Sequence, residues 1–457
     1  MSELPSPNPS SPRPQRVPGR KPVSVGDSPV PLFVPCAGGC ETLLAEELDR
    51  ILEGQHTIEL ARGGVHVTGN AVTAMRINLE SRLAQRVLWP LAFGPYESEH
   101  DLYDLGCTVA WSNWITPEQT FRIDTTAQRS PLQSLNFATL RVKDAVCDVV
   151  RHDTNARPSI DTRFPDLPLT LHLSPTHATL YADTSGEALF KRGWRDAQGA
   201  KGEAPLKETL AAAMLAAAGW QGRPEDGPLI DPCCGAGTIA IEAAQIACGM
   251  APGLQRRFAF ERMLPFRTHQ NTWARLKDAA RARQHAPAVA VYAGDVSFRM
   301  TDFATRNADR AGVAQAIEFK TADALQRLPP AERGVVVINP PYGERIDPKG
   351  SRGGERIDPH GHRSERHGPR ASREGFEGGG DPAVFFSQLA AHWKRHWSGW
   401  QAWVLSPDMK LPQAFRLKES RRVPLWNGPI ECRLFRFDLV AGSARSKPAD
   451  DAGPTPA

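Results

Sequence analysis

The stretch GVVVINPPYGERI, residues 334–346, carries the side chains best suited to chemistry. The Asn339 amide oxygen and the Pro340 carbonyl are neighbouring acceptors that can take the hydrogens of an exocyclic amino group. Tyr342 offers an aromatic face on which a planar base or amide can stack. Such a group needs a rigid support. Residues 335–338 form a continuous apolar, β-branched run, which reads as a strand buried on both faces of a parallel sheet. Pro340 and Pro341 end it and force a turn. In an open α/β sheet, ligands bind just beyond the carboxyl ends of the strands, where Asn339-Pro340-Pro341-Tyr342 would lie.

A second stretch, GPLIDPCCGAGTIAIEAAQIA at 227–247, reads as strand, glycine-bearing turn and helix. Asp231 ends the strand, and the helix begins near Thr238. Gly235 and Gly237 have no Cβ, so a ligand can approach the backbone there. A third glycine is missing, which excludes the dinucleotide fingerprint, and no Gly-Lys-Ser/Thr follows, which excludes a phosphate loop. Asp295 ends the next strand, VAVYAGDVS, where an acid can accept from a ribose hydroxyl. It lies farther along than the usual distance of about 20 residues; the basic, helically patterned segment 251–285 accounts for the excess. Asp323 follows a third strand, IEFKTADALQRL, as either a ligand contact or an ordinary surface turn residue.

The patterns D-P-x-C-G-x-G-T and N-P-P-Y resemble motifs I and IV of the class I S-adenosylmethionine-dependent amino-methyltransferases. Those enzymes methylate the exocyclic nitrogen of adenine, cytosine or guanine, or a glutamine amide. The resemblance implies S-adenosylmethionine as cofactor, held by Asp231, Gly235, Gly237, Thr238, Asp295 and Asp323. Asp295 would take the ribose and Asp323 the adenine amine. It implies catalysis at Asn339, Pro340, Pro341 and Tyr342, with no metal, because the cofactor carries the electrophile.

The front half points the same way. Strands and helices alternate from PLFVPCAGGCETLLAEELDRIL to the segment LFKRGWR, and their order resembles a ferredoxin-like unit followed by a THUMP domain, a module that binds RNA. Arg141 and Lys143 on the helix LNFATLRVKDAVCDVVRHD are candidates for RNA contact or simply a solvated face. Residues 32–440 together resemble the THUMP-containing guanine-N2 methyltransferases, nearest those acting on large-subunit ribosomal RNA. The fold expected is α/β: a Rossmann-like methyltransferase domain with a mostly parallel seven-stranded sheet and a C-terminal antiparallel hairpin, preceded by small α+β ferredoxin-like and THUMP domains. The expected partner is RNA, with ribosomal RNA ahead of transfer RNA, and no membrane or obligate protein partner. A DNA adenine-N6 methyltransferase, a protein glutamine-N5 methyltransferase and a non-catalytic RNA-binding factor are the alternatives.

The 457 residues leave room for two or three domains. The expected division is a disordered tail at 1–29, a ferredoxin-like unit at 30–70, a THUMP-like domain at 71–190, a methyltransferase domain at 195–440 and a second disordered tail at 441–457. A net charge of +4 is compatible with a nucleic-acid partner without requiring one. Eight cysteines with no C-x-x-C pair suit a reduced, cytoplasmic protein. No apolar run approaches the length of a membrane span. The hexapeptide GERIDP at 343–348 recurs at 354–359, opening a Gly-, Arg- and His-rich stretch expected to be a disordered insertion over 349–380. Its arginines could meet phosphates or remain solvated. Residues 71–91 read as one amphipathic helix, and RRVPLWNGPIECRLFRFDL as a hairpin about Asn427-Gly428.

Overall fold

The computed structural model describes residues 26–195, 206–340 and 382–440. Pro341, Tyr342, the 349–380 insertion, residues 1–25 of the expected N-terminal tail and the whole C-terminal tail lie outside the described residues. The chain divides into two compact units. One takes in residues up to 35, 45–189 and 257–278; the other takes in 36–44, 190–256 and 279 onward.

The first unit contains β1 (Val30–Pro35), most of α1 (Glu41–Ile51), β2 (Ile58–Ala61), β3 (Gly64–Gly69), α2 (Ala71–Glu80), β4 (Leu88–Pro95), α3 (Glu99–Cys107), β5 (Thr120–Ala127), α4 (Leu135–Thr154), β6 (Ser159–Ile160), β7 (Leu167–Leu173) and β8 (His177–Asp183). The two small domains expected here share one eight-stranded sheet, in the order β2-β3-β1-β4-β8-β7-β5-β6. β7 and β8 form an antiparallel hairpin. The single helix expected over 71–91 is a helix and a strand. α2 stops at Glu80 because Ser81 turns extended (ψ 131°). The buried Glu47 carboxylate then accepts from the Ser81 hydroxyl (2.6 Å) and the Arg82 and Leu83 N–H groups (2.9 and 3.2 Å). Those donors would otherwise continue the helix, and the carboxylate claims them instead. Pro90 is tolerated in β4 because the register shifts between Pro90 and Ala92. Placed residues begin inside the expected N-terminal tail, at Gly26, whose carbonyl accepts from the Ala71 N–H at the start of α2 (2.8 Å).

The second unit contains α5 (Glu208–Ala218), β9 (Leu229–Asp231), α6 (Thr238–Ala247), the end of α7 (Gln270–Ala282), β10 (Val291–Asp295), α8 (Phe298–Arg310), β11 (Ile317–Thr321), β12 (Gly334–Ile338), α9 (Pro382–His396), β13 (Trp400–Ser406), α10 (Leu411–Phe415), β14 (Arg421–Asn427) and β15 (Ile430–Asp438). Its seven strands run β11-β10-β9-β12-β13-β15-β14. The first five pair in parallel, and β15 is antiparallel to both its neighbours. This is the expected mostly parallel sheet with its C-terminal antiparallel hairpin. Residues 335–338 are buried on both faces, as their unbroken apolar run requires. Val336 and Ile338 face a core built with Trp393, Phe415, Phe435 and Phe437. The hairpin turn is centred one residue later than expected: Asn427 pairs with Ile430, leaving Gly428-Pro429 as the two-residue loop. Gly428, at φ +64°, takes the first position, which in such a turn must be left-handed.

The segment 251–285 is a correction. Only 270–282 is α-helix; residues 259–262 and 264–269 are short 3₁₀ turns. Residues 257–278 belong to the first unit, although they lie between two strands of the second. Phe266 packs edge-on against Trp89 (5.9 Å between ring centroids), and Phe260 against Trp273 (5.0 Å). The Phe260 N–H donates to the Thr184 carbonyl (3.0 Å). No helix among the described residues is long and apolar enough to cross a membrane.

Candidate active site

β9 is the pivot of the second sheet. The chain runs from it to β10 and β11 on one side and then returns to β12 on the other, so the switch point falls between β9 and β12. Crevices at switch points are where such sheets bind ligands. Asp231, Asp295 and Asn339 stand at or one residue past the carboxyl ends of β9, β10 and β12.

The six residues between Asp231 and Thr238 are tied down by hydrogen bonds. Asp231 accepts from the Cys233 N–H (3.2 Å). The Cys234 N–H donates to the Gly294 carbonyl (2.7 Å), and the Gly237 N–H closes the turn on the Cys234 carbonyl (2.7 Å). The Gly235 N–H donates to Asp295 Oδ2 (3.0 Å), while Asp295 Oδ1 accepts from the Ser297 N–H (3.0 Å). Asp295 therefore already orders the glycine turn. Gly235 and Gly237 both take left-handed backbone, at φ +51° and +83°. A Cβ on Gly237 would lie 2.9 Å from the Ala304 Cβ. A Cβ on Gly235 would have Met300 Cε, at 3.9 Å, as its nearest neighbour. Among the described residues the Gly235 side of the turn is thus open, as a cradle for a bulky ligand has to be.

The remaining expected residues fall at different depths. Asp231 is only 1 % exposed and lies beneath the turn. Burial pushes its carboxyl well above the usual carboxylate range, the nearby Asp295 adds to this, and the Cys233 N–H opposes it. Thr238 is also buried, and its hydroxyl accepts from Arg195 (2.7 Å). Asp323 is half-buried in the turn after β11, where its carboxylate accepts from the Leu325 N–H (2.9 Å). Asn339 is half-buried and Pro340 buried directly after β12; Pro341 and Tyr342 lie outside the described residues. The Cys233 and Cys234 thiols are pushed up by burial and by the charges of Asp231 and Asp295. They stay protonated near neutral pH, so neither is an activated nucleophile. Sequence reasoning missed Arg195, and also Asn307, whose amide donates to the Ala236 carbonyl (2.9 Å).

Three family models match the chain in succession. An RlmL ferredoxin-like domain matches residues 31–88, a THUMP domain 96–183 and an RMKL-like methyltransferase domain 192–355. The chain is 35% identical over 419 residues to the ribosomal RNA large subunit methyltransferase K/L of Shewanella sp. strain MR-4, covering 90% of this chain and 53% of that protein. It is 34% identical over 428 residues to the protein of the same name from Shewanella amazonensis, covering 92% and 55%. The chain thus spans about half the length of the curated relatives it matches. Among solved structures, a possible methylase from Clostridium difficile 630 superposes with a TM-score of 0.73 at 26% identity, over 91% of this chain and 99% of that one. A protein from Listeria monocytogenes described as a predicted N6-adenine-specific DNA methylase gives 0.72 at 25%, over 90% and 96%.

Proposed function

We propose that this chain, which carries an RlmL ferredoxin-like domain, a THUMP domain and an RMKL-like methyltransferase domain, methylates the exocyclic N2 amine of a guanine in large-subunit ribosomal RNA in the cytoplasm. Residues 195–440 carry the transfer, and residues 71–190 engage the RNA. The observation that carries the reading is the convergence at the switch point: a glycine turn open at 235 among the described residues, a carboxylate at 295 bonded to it, and Asn339-Pro340 directly after the adjoining strand. The residues fit S-adenosylmethionine. On this reading the cofactor lies on the side of Gly235, Asp295 accepts from a ribose hydroxyl, Asp323 takes the adenine amine, and Asp231 and Thr238 support the turn from beneath.

When bound, S-adenosylmethionine supplies an electrophilic sulfonium methyl. The protein must make the amine nucleophilic. The N2 lone pair of guanine is delocalised into the ring, and the nitrogen is a poor nucleophile while planar. Asn339 Oδ1 and the Pro340 carbonyl accept its two hydrogens, favour pyramidalisation and aim the lone pair; the proton released afterwards goes to solvent. Orientation of this kind is worth several kcal/mol of barrier. Tyr342 recovers by stacking part of the few kcal/mol spent in unstacking the base. The THUMP match favours RNA over DNA as substrate.

Methyl-labelled S-adenosylmethionine, the full chain and ribosomal RNA, followed by nucleoside mass spectrometry, test this reading. Label in N2-methylguanosine is the expected result. Label in N6-methyladenine of DNA, or in protein glutamine, would replace it with one of the other amino-methyltransferase readings.

A further inference from the structure

The segment LFKRGWR reads in sequence as a link between domains. Its residues 192–195 are instead bonded to both flanks of Gly237. On one flank, Arg195 Nη2 donates to Thr238 Oγ1 (2.7 Å) and the Leu206 carbonyl (3.1 Å), while its Nε donates to the buried Glu208 carboxylate (2.5 Å). On the other, the Trp194 carbonyl accepts from Arg310 Nε (2.9 Å), Arg310 Nη2 donates to Asn307 Oδ1 (2.5 Å), and Asn307 Nδ2 donates to the Ala236 carbonyl (2.9 Å). The segment is anchored at its start by the Arg192–Glu242 ion pair (3.0 Å), buried at both ends. A pair so placed tolerates little displacement, because either charge alone would be stranded in the interior.

A turn with two left-handed glycines has many conformations open to it, and each is an entropic cost to ligand binding. The backbone bonds described above fix its first half, against β10. In its second half the Gly237 N–H and carbonyl are held by backbone bonds, to the Cys234 carbonyl and the Ile241 N–H, while the Ala236 carbonyl and the Thr238 hydroxyl are held by side chains, Asn307 and Arg195. We infer that Asn307 and Arg195 are positioning residues of the cofactor turn, acting through the Ala236 carbonyl and the Thr238 hydroxyl to keep it in its ligand-ready shape. The inference rests on the reading that this turn holds S-adenosylmethionine. It makes cofactor affinity depend on a strap and a helix side chain outside the two motifs that the sequence displays.

Asn307→Asp isolates the effect. The carboxylate keeps and strengthens the bond from Arg310, but it presents an oxygen to the Ala236 carbonyl where an amide donor stood. Titration calorimetry with S-adenosylmethionine, at a temperature where circular dichroism shows the variant folded, should give a Kd raised about tenfold, as for one lost hydrogen bond. In steady-state methylation the loss should appear in KM for the cofactor, with kcat recovered at saturation. A second variant, Arg195→Met with Glu208→Gln, removes the Thr238 donor without leaving a buried carboxylate unpaired, and should weaken binding in the same sense. A purely structural role would lower the melting temperature and leave Kd alone. Folded variants whose Kd stays within about twofold of wild type, beside a wild type that binds, would overturn the inference. A wild-type chain that binds no S-adenosylmethionine would overturn the underlying reading as well.

Discussion

At the scale of single residues, two aspartates of the same turn behave in opposite ways. Asp295 is half-buried and hydrogen-bonded to two backbone N–H groups, Gly235 and Ser297. Replacing it with alanine removes the acceptor for a ribose hydroxyl and loosens the turn. S-adenosylmethionine binding should weaken by about 1–3 kcal/mol, read by calorimetry; equal affinity in the variant would remove Asp295 from the site. Asp231 is buried beneath the turn with its carboxyl held well above the ordinary range, mainly by desolvation. A carboxyl raised in the folded state favours folding while it is protonated. Its contribution is complete below the ordinary carboxylate range and lost as pH rises through the raised value. Asp231→Asn, which cannot ionise, should therefore gain in melting temperature over wild type on going from pH 5 to pH 8. A difference that stays flat or shrinks with pH would show that Asp231 is readily ionised in place.

At the scale of elements, the two glycines of the turn make a matched test. A Cβ at Gly237 meets Ala304 at 2.9 Å on backbone at φ +83°. Gly237→Ala should cost about 1–2 kcal/mol for the left-handed backbone and a further increment for overpacking. A Cβ at Gly235 meets nothing closer than 3.9 Å among the described residues. Gly235→Ala should melt closer to wild type yet bind S-adenosylmethionine less well, because its methyl occupies the cradle. A Gly235→Ala protein with unaltered affinity would place the cofactor elsewhere. Motifs of this kind were legible in the sequence because their chemistry is local: glycines that must be left-handed, an acid that ends a strand, prolines that stop one. Residues 334–338 were equally plain, since only a strand covered on both faces carries so unbroken an apolar run. What escaped was set by distant partners. The break after Glu80 depends on Glu47, more than thirty positions earlier, and the support of Ala236 depends on Asn307, 71 positions later. Neither pairing leaves a periodic trace in the chain.

At the scale of the whole molecule, the domain order read from sequence concealed an exchange. Residues 257–278 sit within the methyltransferase sequence but fold into the first unit, bringing Phe258, Phe260, Phe266 and Trp273 into its core. Linear patterning shows that this segment is basic and intermittently apolar; it does not show which core the aromatics join. The same limit hid the continuous eight-stranded sheet, because the β1–β4 strand pairing has a single register position, Phe33 opposite Leu88. A fragment of residues 190–457 should consequently expose these four rings and associate in solution. Replacing 257–278 within it by a short polar linker should restore a monomer, as judged by light scattering. A monomeric fragment with the segment intact would show that the rings find cover without the first unit.

The central claim is that the loop after β12 performs the transfer, and Asn339→Ala addresses it most directly. The change alters no residue of the turn at 231–238, nor Asp295, which is bonded to it. Single-turnover methylation of ribosomal RNA at saturating S-adenosylmethionine should slow on the order of a hundredfold or more, by comparison with loss of one donor from an oxyanion hole. Cofactor affinity and melting temperature should stay close to wild type. A folded Asn339→Ala protein that transfers methyl groups at the wild-type rate would contradict the account.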